Sequence, residues 1–216
     1  MSRVSRPCVY LVWLEWPEKC FRVDAEALRT LKGLVPKGSR VVRVRGESAF
    51  LRAWPKATHA IVWNFKEEWF AQAPRLRVLA TPAAGQEFVP TKGPKGVRIH
   101  FGHFHGAIMS ESVAAFVLAW ARGFFRPELK KGAWPRTALS DKLYGVAGTK
   151  AVVVGYGHVG RAIGAKLSSL GVEVTGVNRS TSASVFHTSV RKADWLVLAL
   201  PSTTGTDDFL SASLIR

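Results

Sequence analysis

Short apolar runs and polar, turn-forming stretches alternate along most of this chain, and the run lengths separate strands from helices. β-branched or aliphatic runs at Val9–Leu14, Arg40–Val44, Ala60–Trp63 and Arg77–Ala80 read as strands, with a fifth at Val97–His100. Ala25–Leu34 has helical spacing, and Asp24 ahead of it is a suitable N-cap. Such alternation specifies a parallel α/β sheet. A loop rich in Gly, Pro and Lys interrupts the pattern over residues 90–96. A long apolar helix is then expected over Ser110–Phe125, with Ser110 as its cap and Glu111 at its positive end, linking the first unit to a second.

Residues 150–180 carry the most information. Ala151–Val154 is uninterrupted and apolar, as a strand buried on both faces of a parallel sheet should be. Gly155, Gly157 and Gly160 follow at once, then a helix over Arg161–Leu170 and a second strand over Val172–Val177. In this G-x-G-x-x-G spacing the first glycine permits a tight turn and the second lets a pyrophosphate approach the backbone. The third lets the helix pack closely on the strand. Free N–H groups and the dipole at the helix start favour phosphate charge. The segment reads as a dinucleotide-binding unit, the competing reading being a glycine turn with a purely structural role.

The residues ending the second strand bear on which nucleotide. Asn178, Arg179, Ser180 and Thr181 stand where NAD-binding chains place an Asp or Glu that accepts bonds from the ribose hydroxyls. A carboxylate would repel a 2′-phosphate, whereas the Arg179 guanidinium can pair with it and hydroxyls such as that of Ser180 can donate to it. NADP(H) is the expected cofactor, with NAD left open because Asn178 can bond a ribose hydroxyl.

Composition narrows the partners. The chain has 31 Lys and Arg against 15 Asp and Glu, a formal net charge of +16, but the excess is spread out: 18 against 9 up to Glu111 and 13 against 6 beyond. No basic tail, block of five like charges or nucleic-acid motif occurs, so any nucleic-acid binding is expected to be nonspecific and salt-sensitive. Trp13, Trp63 and Trp195 fall in apolar runs and read as core. With 47% hydrophobic residues, no stretch of membrane-span length and no secretory pattern, the expectation is a cytoplasmic protein without membrane contact. Cys8 and Cys20 have neither C-x-x-C nor metal-ligand spacing and read as reduced thiols. His100, His103 and His105 lack Cys or Asp companions, and no metal site is expected there.

The order of these segments resembles the D-isomer-specific 2-hydroxyacid dehydrogenase family, which includes glyoxylate and hydroxypyruvate reductases. The resemblance rests on LRVLATPAAGQEFV, on HGAIMSESVAAFVLAWAR, on the glycine unit and on ADWLVLALPSTTGTDDFLSASLIR. The last of these resembles the fourth Rossmann strand and the helix after it. The resemblance implies a flavodoxin-like substrate domain over residues 1–105, then a partial Rossmann, doubly wound NAD(P)-binding domain over 106–216. It implies reduction of a small 2-oxo acid to the 2-hydroxy acid by hydride transfer from NADPH. It also implies a homodimer formed through the cofactor domain, for which the helix bearing Phe116 and Trp120 is a candidate contact.

By the same resemblance, backbone N–H groups of Ala84, Gly85 and Gln86 hold the substrate carboxylate, and Tyr156, His158 and Val159 lie along the pyrophosphate. Leu200, Pro201 and Ser202 line the dinucleotide cleft, with Thr206 in the segment that follows. The family's catalytic Arg, in N-x-x-R-G, and its Glu and His have no counterpart here. Arg45-Gly46 and Arg122-Gly123 are the only Arg-Gly pairs, with Val42 and Ala119 where the Asn belongs; no Glu follows Glu173 and no His follows His187. No catalytic residue is therefore assigned. The chain reads as an N-terminal portion of such a dehydrogenase, with strands near 150, 172, 184 and 195 out of about six, a helix-like segment ending at Arg216, and marginal stability on its own. The alternative is a non-catalytic nucleotide-binding module on the same fold.

Overall fold

The computed structural model describes residues 7–127, 129 and 135–210, which fall into two compact units, Met1–Gly102 and His103–Arg216. In the first, β1 (Val9–Trp13), β2 (Arg40–Arg43), β3 (His59–Val62), β4 (Val78–Ala80) and β5 (Arg98–His100) form one parallel sheet. Its order β2-β1-β3-β4-β5 is the flavodoxin-like one. The helix α1 (Ala25–Leu34) leads from β1 to β2, and the Ala27 N–H donates to the Asp24 carboxylate at 2.7 Å, the cap expected from sequence. The helix α2 (Glu47–Ala53) leads toward β3. It presents Phe50, four residues before Trp54, to the sheet, and both side chains are fully buried with Leu11, Val62 and Leu79.

Trp13 and Trp195, half-buried, pack against the two cores as expected, Trp13 stacking on Phe50 at 4.8 Å, whereas Trp63 stays outside the first core, and Trp54 is fully enclosed there with Trp69 nearly so. The indole N–H groups of Trp63 and Trp54 each find the acceptor they need, one at the surface and one in the core. Trp63 lies just past β3 and donates to the Phe21 carbonyl at 2.6 Å, while Trp54 reaches the Trp69 carbonyl at 2.7 Å inside the core. Cys8 stands one residue before β1, half-buried, and Cys20 is exposed.

In the second unit, α3 (His105–Ala121) and α4 (Arg136–Ser140) precede β6 (Lys150–Val154), α5 (His158–Ser169), β7 (Glu173–Val177), α6 (Ala183–Arg191) and β8 (Trp195–Leu198). The strands are parallel in the order β7-β6-β8. Ala151 to Val154 are all buried, as the unbroken apolar run requires. Val153 and Leu167 centre a core of aliphatic side chains.

Four expectations need correction. Helix α3 starts at His105, so Ser110 is not a cap; it is buried inside the helix and its hydroxyl donates back to the Ala107 carbonyl at 2.7 Å. The helix also stops at Ala121, because Gly123 at φ +74° closes it: Gly123 N–H reaches Trp120 O at 3.0 Å and Phe124 N–H reaches Ala119 O at 2.9 Å. Helix α5 begins at His158, three residues before Arg161. Finally, no strand forms near residue 184: α6 occupies that stretch, capped by Ser182, whose Oγ accepts from Val185 N–H at 3.4 Å. The chain then crosses β6, so β8 pairs on the side away from β7, in the fourth-strand place of a Rossmann sheet. The helix-like segment ending at Arg216 lies outside the described residues.

Candidate dinucleotide and substrate sites

In an open parallel α/β sheet, ligands bind where neighbouring connections leave a strand in opposite directions, at the carboxyl ends. In the second unit that point is the end of β6, flanked by β7 and β8. Gly155 has φ +91°, and a Cβ there would collide with the Ala199 carbonyl oxygen, so only glycine permits this turn. A Cβ on Gly160 would strike the Gly155 carbonyl oxygen, which is why α5 can start so close to β6. Gly157 is different: a Cβ there would meet nothing within 4 Å. The three glycines thus divide into two forced by packing and one that leaves backbone open. The first-turn N–H groups of α5, at His158, Val159 and Gly160, have no acceptor within the helix and face the helix's positive end.

Side chains in this turn point to varied tasks. The Tyr156 ring fills a slot between α5 and β7 made by Gly164 and Gly176, where a Cβ on either would overlap it, so only the Tyr156 backbone is left at the turn. Sequence reasoning missed both glycines. Their signal was visible, since isolated glycines inside a helix and a strand mark a close approach. Val159 packs half-buried into the aliphatic core. His158 Nε2 meets the His103 carbonyl, with the two imidazole rings edge to face at 4.9 Å. His158 is therefore a tie between the start of α5 and the segment entering α3.

At the end of β7, Asn178 organises the turn. Its Oδ1 accepts from Ser180 N–H at 2.9 Å and from Ser180 Oγ at 2.6 Å, and its own N–H donates to Thr181 Oγ1 at 3.1 Å. That leaves the Asn178 amide nitrogen to donate outward. Arg179 is exposed, and among the described residues its guanidinium has no partner. Beyond β8, Leu200, Pro201, Ser202 and Thr206 line a cavity of about 430 Å³ with Leu198 and Asp207. Thr206 is saturated locally: it donates to Pro201 O at 2.5 Å and accepts from Thr203 N–H at 3.0 Å, holding the loop in shape.

In the first unit, Ala84, Gly85 and Gln86 lie in the bend after β4, at the sheet's carboxyl edge. Ala84 and Gln86 are exposed, and the N–H groups of all three have no acceptor among the described residues. The Glu87 carboxylate lies against Gly85, a neighbour the sequence reading overlooked. His100 ends β5, whereas His103 and His105 belong to the second unit. Among the described residues no three His, Cys, Asp or Glu cluster as metal ligands, and no helix is long and apolar enough to cross a membrane.

A strand–glycine turn–helix–strand unit with this turn geometry defines the class as a Rossmann-type dinucleotide-binding domain. Residues 114–216 match the family model described as D-isomer specific 2-hydroxyacid dehydrogenase, NAD binding domain. The match covers the glycine turn and all three strands of the second unit and makes that unit similar to the NAD-binding domain of that family. Solved structures follow the fold across both units. A D-isomer specific 2-hydroxyacid dehydrogenase family protein from Aeromonas salmonicida superposes with a TM-score of 0.70 at 19% identity, over 97% of this chain and 69% of that one. An NADPH-dependent glyoxylate/hydroxypyruvate reductase from Sinorhizobium meliloti, in complex with NADP and sulfate, gives 0.70 at 23% identity, over 96% and 66%. An NAD+-bound 3-phosphoglycerate dehydrogenase from Entamoeba histolytica gives 0.69 at 15%, over 97% and 68%.

Proposed function

We propose that this chain binds NADP(H) in preference to NAD(H) and belongs to an enzyme that reduces a small 2-oxo acid to the 2-hydroxy acid. The observation that carries the reading is the mouth of the β6–α5 turn. Gly157 leaves the backbone open, the first N–H groups of α5 await an anion, and the Arg179 guanidinium, without a partner among the described residues, stands at the end of the neighbouring strand, where Asn178 takes the place of a carboxylate that would repel a 2′-phosphate. When bound, the nicotinamide supplies the hydride. The backbone of Tyr156, His158 and Val159 positions the pyrophosphate, Asn178, Arg179 and Ser180 bind the adenine ribose end, and Leu200 to Ser202 flank the dinucleotide. The N–H groups of Ala84, Gly85 and Gln86 hold the substrate carboxylate. Residues 1–216 supply no N-x-x-R-G arginine and no matched histidine, so proton donation and carbonyl polarisation are assigned to no residue among them.

Fluorescence titration with NADPH and NADH tests the cofactor step. NADPH binds more tightly to the parent chain, and Arg179→Ala loses about tenfold to a hundredfold for NADPH with little change for NADH, as expected for a charge-assisted contact of about 1.5–3 kcal/mol. Equal affinities in the parent would refute the preference. In NADPH oxidation assays with glyoxylate and hydroxypyruvate, the 216-residue chain shows no significant turnover, because it lacks the acid-catalysis contribution of about a hundredfold to ten-thousandfold.

A homodimer is a second reading, favoured by one face of the second unit. Phe116, Trp120, Phe124 and Phe125 are 66%, 55%, 67% and 55% exposed, and the rings of Phe116 and Phe125 stack at 6.1 Å. Contiguous exposed aromatic surface of this kind marks an association site. The Phe116→Ser, Trp120→Ser double variant sediments as a monomer if this face joins two copies; an unchanged sedimentation coefficient would exclude it.

A further inference from the structure

At the carboxyl ends of β1 and β2, well away from the glycine turn in sequence, the first unit holds a cavity of about 620 Å³ lined by Glu15, Trp16, Pro17, Arg22, Arg43 and Arg45. Three arginines against one acid give its walls a net positive charge. We propose that it is an anion-binding site, taking a small molecule whose phosphate or carboxylate meets Arg43 and Arg45 and whose flat apolar body lies on Trp16.

The arginines are not interchangeable with the chain's other surface cations. Arg22 is pinned into the wall, its Nε donating to Trp16 O at 2.7 Å and an Nη to Pro17 O at 2.5 Å. Arg43 and Arg45 are two residues apart where β2 ends, so an extended chain places both on one face. Arg43 is half-buried, and among the described residues neither guanidinium makes a hydrogen bond or ion pair. Among the described residues the one acid present, Glu15, forms no ion pair with them, its Oε2 accepting instead from Trp13 Nε1–H at 3.1 Å and Gly46 N–H at 2.6 Å, and one negative charge leaves the three arginines in excess. Those bonds hold the Arg45–Gly46 turn in place. Two free guanidinium forks aimed into a concave wall match the bidentate chemistry of phosphate and carboxylate.

Trp16 supplies a fixed apolar side. Its ring packs against Trp63 at 6.2 Å and edge-on against Phe88 at 5.8 Å, so it cannot swing away freely. The Trp16 wall touches Phe88, two residues past Gln86, but the arginines stand on the β2 side, away from the Ala84–Gln86 N–H groups. Strands β2 and β4 are three places apart in the sheet, about 14 Å at ~4.8 Å per strand, farther than the ends of a four- or five-carbon diacid can reach. The inference therefore stands independently of the cofactor reading.

The test titrates the full chain with phenyl phosphate, benzoate, inorganic phosphate and uncharged benzyl alcohol, following tryptophan fluorescence. Phenyl phosphate or benzoate quenches saturably, benzyl alcohol does not, and the tighter of the two anions identifies the head group. Trp16→Phe removes the signal. Arg43→Gln with Arg45→Gln weakens binding by at least about tenfold, while Arg75→Gln, an exposed arginine elsewhere, leaves it unchanged. NADPH titration of the same preparations stays constant and certifies their fold. The proposal is overturned if no anion quenches saturably, if benzyl alcohol binds equally well, or if Arg75→Gln weakens binding as much as the double variant.

Discussion

Both units build a parallel sheet, but from different materials. The first packs aromatic rings inward: Phe50 lies within 5.0 Å of Trp54 and 4.8 Å of Trp13, and Phe65 meets Trp69 edge-on at 5.4 Å. The second fills the centre of its core with Val152, Val153, Ile163 and Leu167, keeps Tyr156, Trp195 and Phe186 at the core's margin, and exposes the aromatic residues along and beyond α3. The cause is geometric. In the first unit α2 and the turns after it lie over a wide sheet face that needs large side chains to fill it. In the second, Gly155 and Gly160 bring α5 close to β6, and aliphatic side chains fill the space beneath, while Gly164 and Gly176 open one slot for the Tyr156 ring.

If the two cores are independent, damage to one should leave the other working. Trp54→Ala removes a fully buried indole and its bond to Trp69 O, and should cost the first unit about 3–5 kcal/mol in denaturant unfolding. NADPH binding by the second unit should persist. A loss below about 1 kcal/mol would mean that the aromatic cluster is not the core of its unit.

The reverse experiment strikes the glycine turn. Gly155→Ala forces φ +91° on an alanine and drives its Cβ into the Ala199 carbonyl. Dinucleotide affinity should fall by more than about tenfold, from a cost of at least ~1–2 kcal/mol. Gly38→Ala is the control, since φ is +82° there but nothing lies within 4 Å. It should lower stability slightly and leave cofactor affinity alone. Equal effects of the two variants on cofactor binding would deny that close packing at the turn matters.

Acid should separate the units further. His59, half-buried in β3 and stacked on Tyr10 at 4.3 Å, has its pKa held below the ordinary 6.5 by burial first and then by Arg77 and Arg98. It stays neutral in the folded state while the unfolded chain takes up a proton. Stability from this group is therefore complete above pH 6.5 and declines as the pH falls below it. The first unit should lose stability as the pH falls below 6.5, and His59→Phe, which keeps the ring stack, should flatten that dependence. An identical slope in parent and variant would assign the acid sensitivity elsewhere.

The smallest effect concerns the loop after β4. The Glu87 carboxylate beside Gly85 repels an arriving carboxylate, so Glu87→Gln should tighten glyoxylate binding by about two- to threefold, an exposed and screened effect of under ~1 kcal/mol. Unchanged affinity in calorimetry at low salt would detach Glu87 from the site.

Much was written in the sequence because it is local. The five strands of the first unit and the Asp24 cap follow from run length and capping chemistry, which neighbouring residues alone determine. So does the glycine triplet, whose turn demands positive φ at Gly155 whatever surrounds it. What the tertiary structure decided is non-local. The place of β8 beside β6, across from β7, is such a decision, a pairing whose register no local pattern encodes. Trp54 is fully buried with its indole N–H bonded to the Trp69 carbonyl, fifteen residues away, whereas the Trp63 indole bonds the Phe21 carbonyl at the exposed margin, and neither pairing is written in the local pattern. Likewise Arg22, Arg43 and Arg45 are scattered basic residues along the chain, and only the parallel pairing of β1 with β2 gathers them round one cavity.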